Sequence, residues 1–256
     1  MKYDLIAPCY FGTESAAAFD FKRIGAEDVA VTDGRVAFRG GPDIIAAANL
    51  WSRCAERVLI LLKTYKAVTF DELFDGVSAI PWEELLPADA EFPVKGSSLS
   101  STLSSVPACQ SIVKKAVVER LKRGHRVQVL PEDGALYKIR FSIRKNMVEV
   151  MLDTSGDGLH KRGYRKNSME APIKETLAAA IIDLPHLSRH TGAGPVLRQR
   201  YADDRGRDEG HEHGPRPAAP LYGGALCVSA CRRLERAAGE SPFGDPAGRG
   251  IPRRRL

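Results

Sequence analysis

Cysteine is scarce in this chain and irregularly placed, with five residues in 256, at Cys9, Cys54, Cys109, Cys227 and Cys231. An odd count without paired spacing in the first half excludes a disulfide framework and a zinc knuckle, and reduced thiols are the expectation. Aromatic residues make up only 7% of the chain. No apolar run approaches the roughly eighteen residues of a membrane helix. The stretch Leu5 to Phe11 is too short and follows Asp4, so it does not read as a signal peptide either. These absences predict a soluble, cytoplasmic protein with no membrane partner and no metal.

Lysine is missing from the last quarter. Residues 1–184 carry 13 Lys and 12 Arg against 24 acids, a net +1, whereas residues 185–256 carry 13 Arg, no Lys and 8 acids, a net +5. That quarter also holds 8 of the 16 prolines and 11 of the 23 glycines, and it shows neither helical nor strand periodicity. Such a composition buries too little apolar surface to offset its ordering entropy, so a disordered tail is expected there. The high overall pI says nothing about the part that folds.

Residues 1–67 read as βαββαβ. Tyr3 to Ala7 is a strand, Glu14 to Ile24 a helix, and Val29 to Thr32 and Arg35 to Arg39 are strands joined by Asp33-Gly34, a primed-turn signal. A helix follows with Ile44, Ala48, Trp51 and Ala55 at helical spacing, then the strand Val58 to Leu62. This order suits a small sheet with both helices on one face, an α+β sandwich of ferredoxin-like type. A second unit, residues 68–155, opens with Thr69 and Glu72 in a capping-box pattern. Its helix Phe70 to Ile80 is followed by a strand Glu91 to Lys95, a serine-rich loop Gly96 to Ser105, and a helix from about Pro107 to Arg123. On that helix Val113, Val117 and Leu121 form a buried stripe, leaving Lys114, Lys115, Glu119 and Lys122 toward solvent. The strands Leu136 to Ile143 and Met147 to Leu152 close a second sheet around a Lys145-Asn146 turn. Residues 156–184 combine a basic loop with an Ala-rich helix from Pro172 to Leu184, whose apolar face is expected to lie uncovered.

Two blocks in this last region are idiosyncratic: Asp157-Gly-Leu-His-Lys-Arg-Gly-Tyr-Arg165 and Ala171-Pro-Ile-Lys-Glu-Thr-Leu-Ala-Ala-Ala-Ile-Ile182. They closely resemble the start of the catalytic domain in THUMP-containing class I RNA methyltransferases, the subgroup acting on guanine N2 of large-subunit (23S) ribosomal RNA. The resemblance covers roughly residues 1–184 and implies an N-terminal ferredoxin-like domain, a THUMP domain and the first helix of a Rossmann-like methyltransferase domain. It implies ribosomal RNA as partner and S-adenosylmethionine as the family's cofactor, with Lys174 or Thr176 near the methyl donor. Pro93-Val-Lys-Gly-Ser97 sits where members place a strand leading to an RNA-facing loop.

The resemblance then stops. The family's D-P-F-C-G-S-G-T turn, whose glycines let backbone approach the cofactor, and its later N-P-P-Y are both missing from this sequence. Written as codons and read one nucleotide later, Gly194 to Asp208 can encode D-P-F-C-G-S-G-T-L-M-I-E-A-A-M; Gln199-Arg200 as CAG CGG, for example, yields AGC, a serine. A frameshift between about Leu184 and His186 accounts for the missing motif and for the Arg-rich, Lys-free tail together. An ordinary disordered basic tail is the alternative.

On this reading the chain binds RNA but not cofactor and does not methylate; a free-standing RNA-binding module serving a partner enzyme is the rival. Shape and phosphate contacts would hold folded RNA, and the candidate cations are Lys95, Lys114, Lys115, Lys161, Arg162 and Arg165, with His160 and Tyr164 available for stacking. For Lys114 and Lys115 a solvated helix face is an equal reading, and for Lys174 and Thr176 ordinary helix-end polarity is the stronger one. His211-Glu-His213 and Cys227 with Cys231 lie in the tail and are not expected to bind metal. Sequencing the source gene across about codons 180–200 is expected to show the missing motif in the adjacent frame; one intact frame with no such motif nearby overturns the frameshift.

Overall fold

The computed structural model describes residues 2–162 and 173–183. The expected tail, including its histidines and cysteines, lies outside the described residues, as do Tyr164, Arg165 and Pro172.

The first six elements follow the expected order. They are β1 (Tyr3–Pro8), α1 (Glu14–Arg23), β2 (Glu27–Thr32), β3 (Arg35–Gly40), α2 (Pro42–Trp51) and β4 (Leu59–Lys66). Next come α3 (Phe70–Ser78), a single-turn α4 (Trp82–Leu85), β5 (Val94–Leu99), α5 (Val106–His125), β6 (Ile139–Arg144), β7 (Met147–Asp153) and α6 (Glu175–Asp183). The strands do not form two sheets. They make one seven-stranded sheet in the order β2-β3-β1-β4-β7-β6-β5, because β4 runs four residues past its expected end and pairs with β7 from Leu59↔Asp153 to Lys66↔Met147. β4 pairs with β1 along one edge through Leu59 and Ile60 and with β7 along the other, where a bulge between Leu61 and Lys63 shifts the register.

Most of the large buried apolar side chains fall on one face. Leu5, Ile60, Leu152 and Ile139 follow one another across the sheet in register. They belong to a single core with Phe21 of α1, Ile45 of α2, Leu73 and Val77 of α3 and Val113, Val117 and Leu121 of α5. Phe21 stacks on Phe38 with ring centroids 4.2 Å apart. Trp82 is fully buried and its indole N–H donates to the Val77 carbonyl at 2.9 Å. The opposite face carries the small buried apolar cluster Ile6, Leu59 and Met151, with Leu61 packed against it.

Local chemistry sets the ends. The Thr69 hydroxyl accepts from the Glu72 amide at 3.2 Å while the Glu72 carboxylate accepts from Thr69 and Val68, a complete capping box. Those two backbone donors hold the Glu72 carboxyl below its ordinary pKa. The primed turn is at Lys145-Asn146, where both residues are left-handed; at Asp33-Gly34 only the glycine has positive φ.

Several expectations are corrected. The serine-rich stretch is strand as far as Leu99, because Gly96 lets the Phe141 ring lie against the backbone and Ser98 donates back to Leu103. Trp51 is 44% exposed, the buried residues of α2 being Ile45, Ala48 and Asn49. The Ala-rich helix is not left uncovered: Ala178, Ala179 and Ala180 are buried, and the last two belong to the main core. Gly96→Ala, whose Cβ would overlap Phe141, is expected to destabilise the fold by about 1–3 kcal/mol in urea unfolding.

Candidate nucleic-acid interface

The two lysines of α5 have different fates. Lys114 is not left toward solvent: its ammonium donates to both oxygens of Glu132 at 2.8 and 2.7 Å and to the Phe92 carbonyl at 3.3 Å, and lies 3.6 Å from the Phe92 ring centroid. That lysine is committed to packing. Lys115, one residue on, is exposed and faces Glu119 at 3.8 Å, an i,i+4 pair worth only a few tenths of a kcal/mol. Together with Pro93, Val94, Gln110 and Ser111 they line an open depression of about 500 Å³ between α5 and the sheet edge.

Lys95 does not join them. It is exposed on the edge strand β5, and its register partner Arg140 and the next partner Met151 belong to the face that carries no helix. Arg140 and Arg57 converge on the fully buried carboxylate of Asp153 at 3.1 and 2.7 Å. Arg57 also donates to the Gly156 carbonyl, as Lys138 does. The loop after β7 is therefore tied down by cations. Arg162 donates to the Asn49 carbonyl at 2.7 Å and is used in the same way, while Lys161 is exposed. His160 folds back on Gly158, with its Nδ1 buried and unpartnered, so it presents no free ring for stacking.

Sequence reasoning missed Lys66, Arg144 and Lys145. All three are exposed and form no ion pair among the described residues. Lys66 and Arg144 are joined through Met147, with which each is in register. The signal was present, since two cations flank the turn, but the segment was read only for its turn chemistry.

Helix α6 is held by charge. Arg53 reaches Asp183 at 2.8 Å and Asp20 at 3.4 Å, and Asp20 also accepts from the backbone N–H groups of Arg53 and Cys54. The Cys54 thiol donates to Asp183 at 3.3 Å; burial, then Asp20 and Asp183, push its pKa far up. Cys9 is pushed up to about 11, by burial first and then by Glu14. Lys174 lies 3.3 Å from Glu56 and 5.4 Å from the Tyr10 ring centroid, and hydrogen bonds to Tyr10 and Glu56 raise its pKa. Thr176 is 1% exposed and its hydroxyl has no partner. Of the two expected cofactor residues, Thr176 is buried and Lys174 is exposed with Glu56 and Tyr10 beside it.

Among the described residues no three His, Cys, Asp or Glu side chains cluster as metal ligands, and no helix is long and apolar enough to cross a membrane. Arg53→Ala strands Asp20 and Asp183 and is expected to cost about 3 kcal/mol, the low end for a buried pair because the guanidinium keeps some exposure. Urea unfolding measures this, and Cys54 alkylation should quicken in the same variant.

Comparison with known proteins agrees with this architecture. Residues 4–59 match the RlmL ferredoxin-like domain and residues 67–153 the THUMP domain. The chain is 48% identical over 204 residues to the "Putative RNA methyltransferase YpsC" of Bacillus subtilis, covering 76% of this chain and 53% of that protein. It is 38% identical over 182 residues to the ribosomal RNA large subunit methyltransferase K/L of Magnetococcus marinus, covering 70% of this chain and 25% of the relative. Among solved structures, SMU.472, titled a "putative methyltransferase complexed with SAH", superposes with a TM-score of 0.74 at 34% identity, covering 91% of this chain and 65% of that one. The chain therefore spans about half the length of the Bacillus protein and a quarter of the Magnetococcus protein. An RlmL ferredoxin-like domain and a THUMP domain are thus what this chain shares with relatives named as RNA methyltransferases.

Proposed function

We propose that this chain is the RNA-binding portion of an S-adenosylmethionine-dependent methyltransferase acting on guanine N2 of large-subunit ribosomal RNA, that it grips RNA, and that it does not itself turn over. The observation that carries the RNA reading is the THUMP domain, with exposed lysines and arginines on its surface. Of the residues singled out from sequence, Lys95 and Lys161 are exposed, and Lys115 is exposed with only the solvent-facing Glu119 beside it, so all three can meet phosphate; Lys114 and Arg162 are engaged within the fold and act by shaping the surface. Arg165 is retained as an RNA contact on the strength of the basic loop in which it lies. Domain limits of 1–67, 68–155, 156–184 and 185–256 describe the chain on this reading, with α6 as the opening helix of a Rossmann-like unit.

The cofactor does not fit the residues described. The Thr176 hydroxyl is sealed from solvent, and Lys174, though exposed, already faces Glu56 and the Tyr10 ring. The sequence also lacks the glycine-rich turn that brings backbone against the methyl donor. A frameshift near Leu184 is the cause we infer for that lack. Titration calorimetry with S-adenosylmethionine is expected to give no heat of binding. In the same buffer a ribosomal RNA fragment should bind with a log–log salt slope of a few units, about 0.7–0.9 per phosphate contacted. Cofactor binding at micromolar concentration overturns the account of the tail, and RNA binding that is absent or indifferent to salt overturns the RNA reading.

A further inference from the structure

The helix-free face of the sheet has a regular composition that the sequence order hides. Directly paired residues of neighbouring strands point to the same side. The terminal pairs of β4, β7, β6 and β5 therefore make one row, Lys66–Met147–Arg144–Leu99. All four are exposed, Met147 by 42% and Leu99 by 62%. The next row on this face is Thr64–Glu149–Ser142–Ser97, and beyond it Arg140 pairs with Lys95. The alternate residues, Tyr65 and Lys63 among them, bond to α3 on the other side.

We propose that this row, with Lys145 at its edge and Lys95 farther along β5, is the surface on which the phosphate backbone of folded RNA lies. The proposal rests on the RNA-binding reading above and gives it a location. Charge complementarity favours that occupant. Lys66, Lys95, Arg144 and Lys145 form no ion pair among the described residues; Glu149 is committed to Arg35, and Glu72, which feels the charge of Lys66, spends its hydrogen bonds on the amides of Val68 and Thr69. Neighbouring strands lie about 4.8 Å apart, so Lys66 and Arg144, two strands from each other, stand about 10 Å apart across Met147. The row carries no aromatic ring, so it offers no stack for splayed bases and suits contacts to phosphate and ribose instead.

The platform is also fixed before any ligand arrives. Asn146 accepts from the Thr102 amide at 2.8 Å, its own amide donates to Ser101 at 3.0 Å, and its carbonyl accepts from Ala67 at 2.9 Å. The Lys145 amide donates to Leu99 at 3.2 Å. The ends of β4, β5 and the β6–β7 turn are thereby knotted together, which limits the ordering cost of binding.

The test uses the full chain and a labelled ribosomal RNA hairpin in fluorescence anisotropy across a salt series. The double variant Lys66→Gln, Arg144→Gln is expected to bind about tenfold more weakly at low salt and to flatten the log–log slope by between one and two units. Lys22→Gln, an exposed cation on α1, is expected to leave both unchanged. Wild-type affinity and slope in the double variant overturn the proposal while leaving RNA binding intact, and so does a larger loss in Lys115→Gln. No binding by the wild type defeats both readings at once. Cross-linking photoactivatable RNA to the unmodified chain keeps the question decidable if the double variant misfolds: adducts on residues 63–66 and 144–147 support the row, and adducts confined to 110–115 overturn it.

Discussion

The pairing of β4 with β7 is the contact on which the rest of the molecule depends. Beyond Leu59, β4 lies between the residues matched as ferredoxin-like and those matched as THUMP; the strand pairs with β1 of the first and with β7 of the second, and so joins both into one sheet. Two consequences are physical. Inward-pointing residues of both halves form one core, which gives each half more apolar burial than its own length would supply. The helices also share a face, so the other face stays bare across the middle of the sheet.

Much of the local structure was legible, because it depends on neighbours in sequence. The βαββαβ order, the Thr69–Glu72 capping box and the Val113, Val117, Leu121 stripe all follow from periodicity and cap chemistry. What could not be read is non-local. The second half of β4, Lys63 to Lys66, looks like the start of a linker because three of its residues are polar; only its partner Met147–Val150 makes it a strand. Ser97 and Ser98 have poor strand propensity, and it is the parallel neighbour β6 that holds them extended.

The candidate interface divides along the same line. A cation's availability depends on whether an acid from elsewhere in the chain has reached it, and spacing cannot reveal that. Lys114 looked as open as Lys115, yet Glu132, eighteen residues later, and the Phe92 ring take it up. Arg162, Arg57, Arg140 and Lys138 are likewise turned inward to carbonyls and to Asp153, so the basic loop after β7 serves largely to brace itself. Lys66 and Arg144, seventy-eight residues apart in sequence, become neighbours only through the register of three strands.

The anchoring of α6 by Arg53 carries a mechanical corollary. The helix ends at Asp183, and that residue is gripped by the same guanidinium that grips Asp20 of α1. The last described turn of the helix is thereby tied to α1 and to the segment after α2. Arg53 works there as a rivet: one planar cation closes the contact between the first and last helices described, so the two can shift only together.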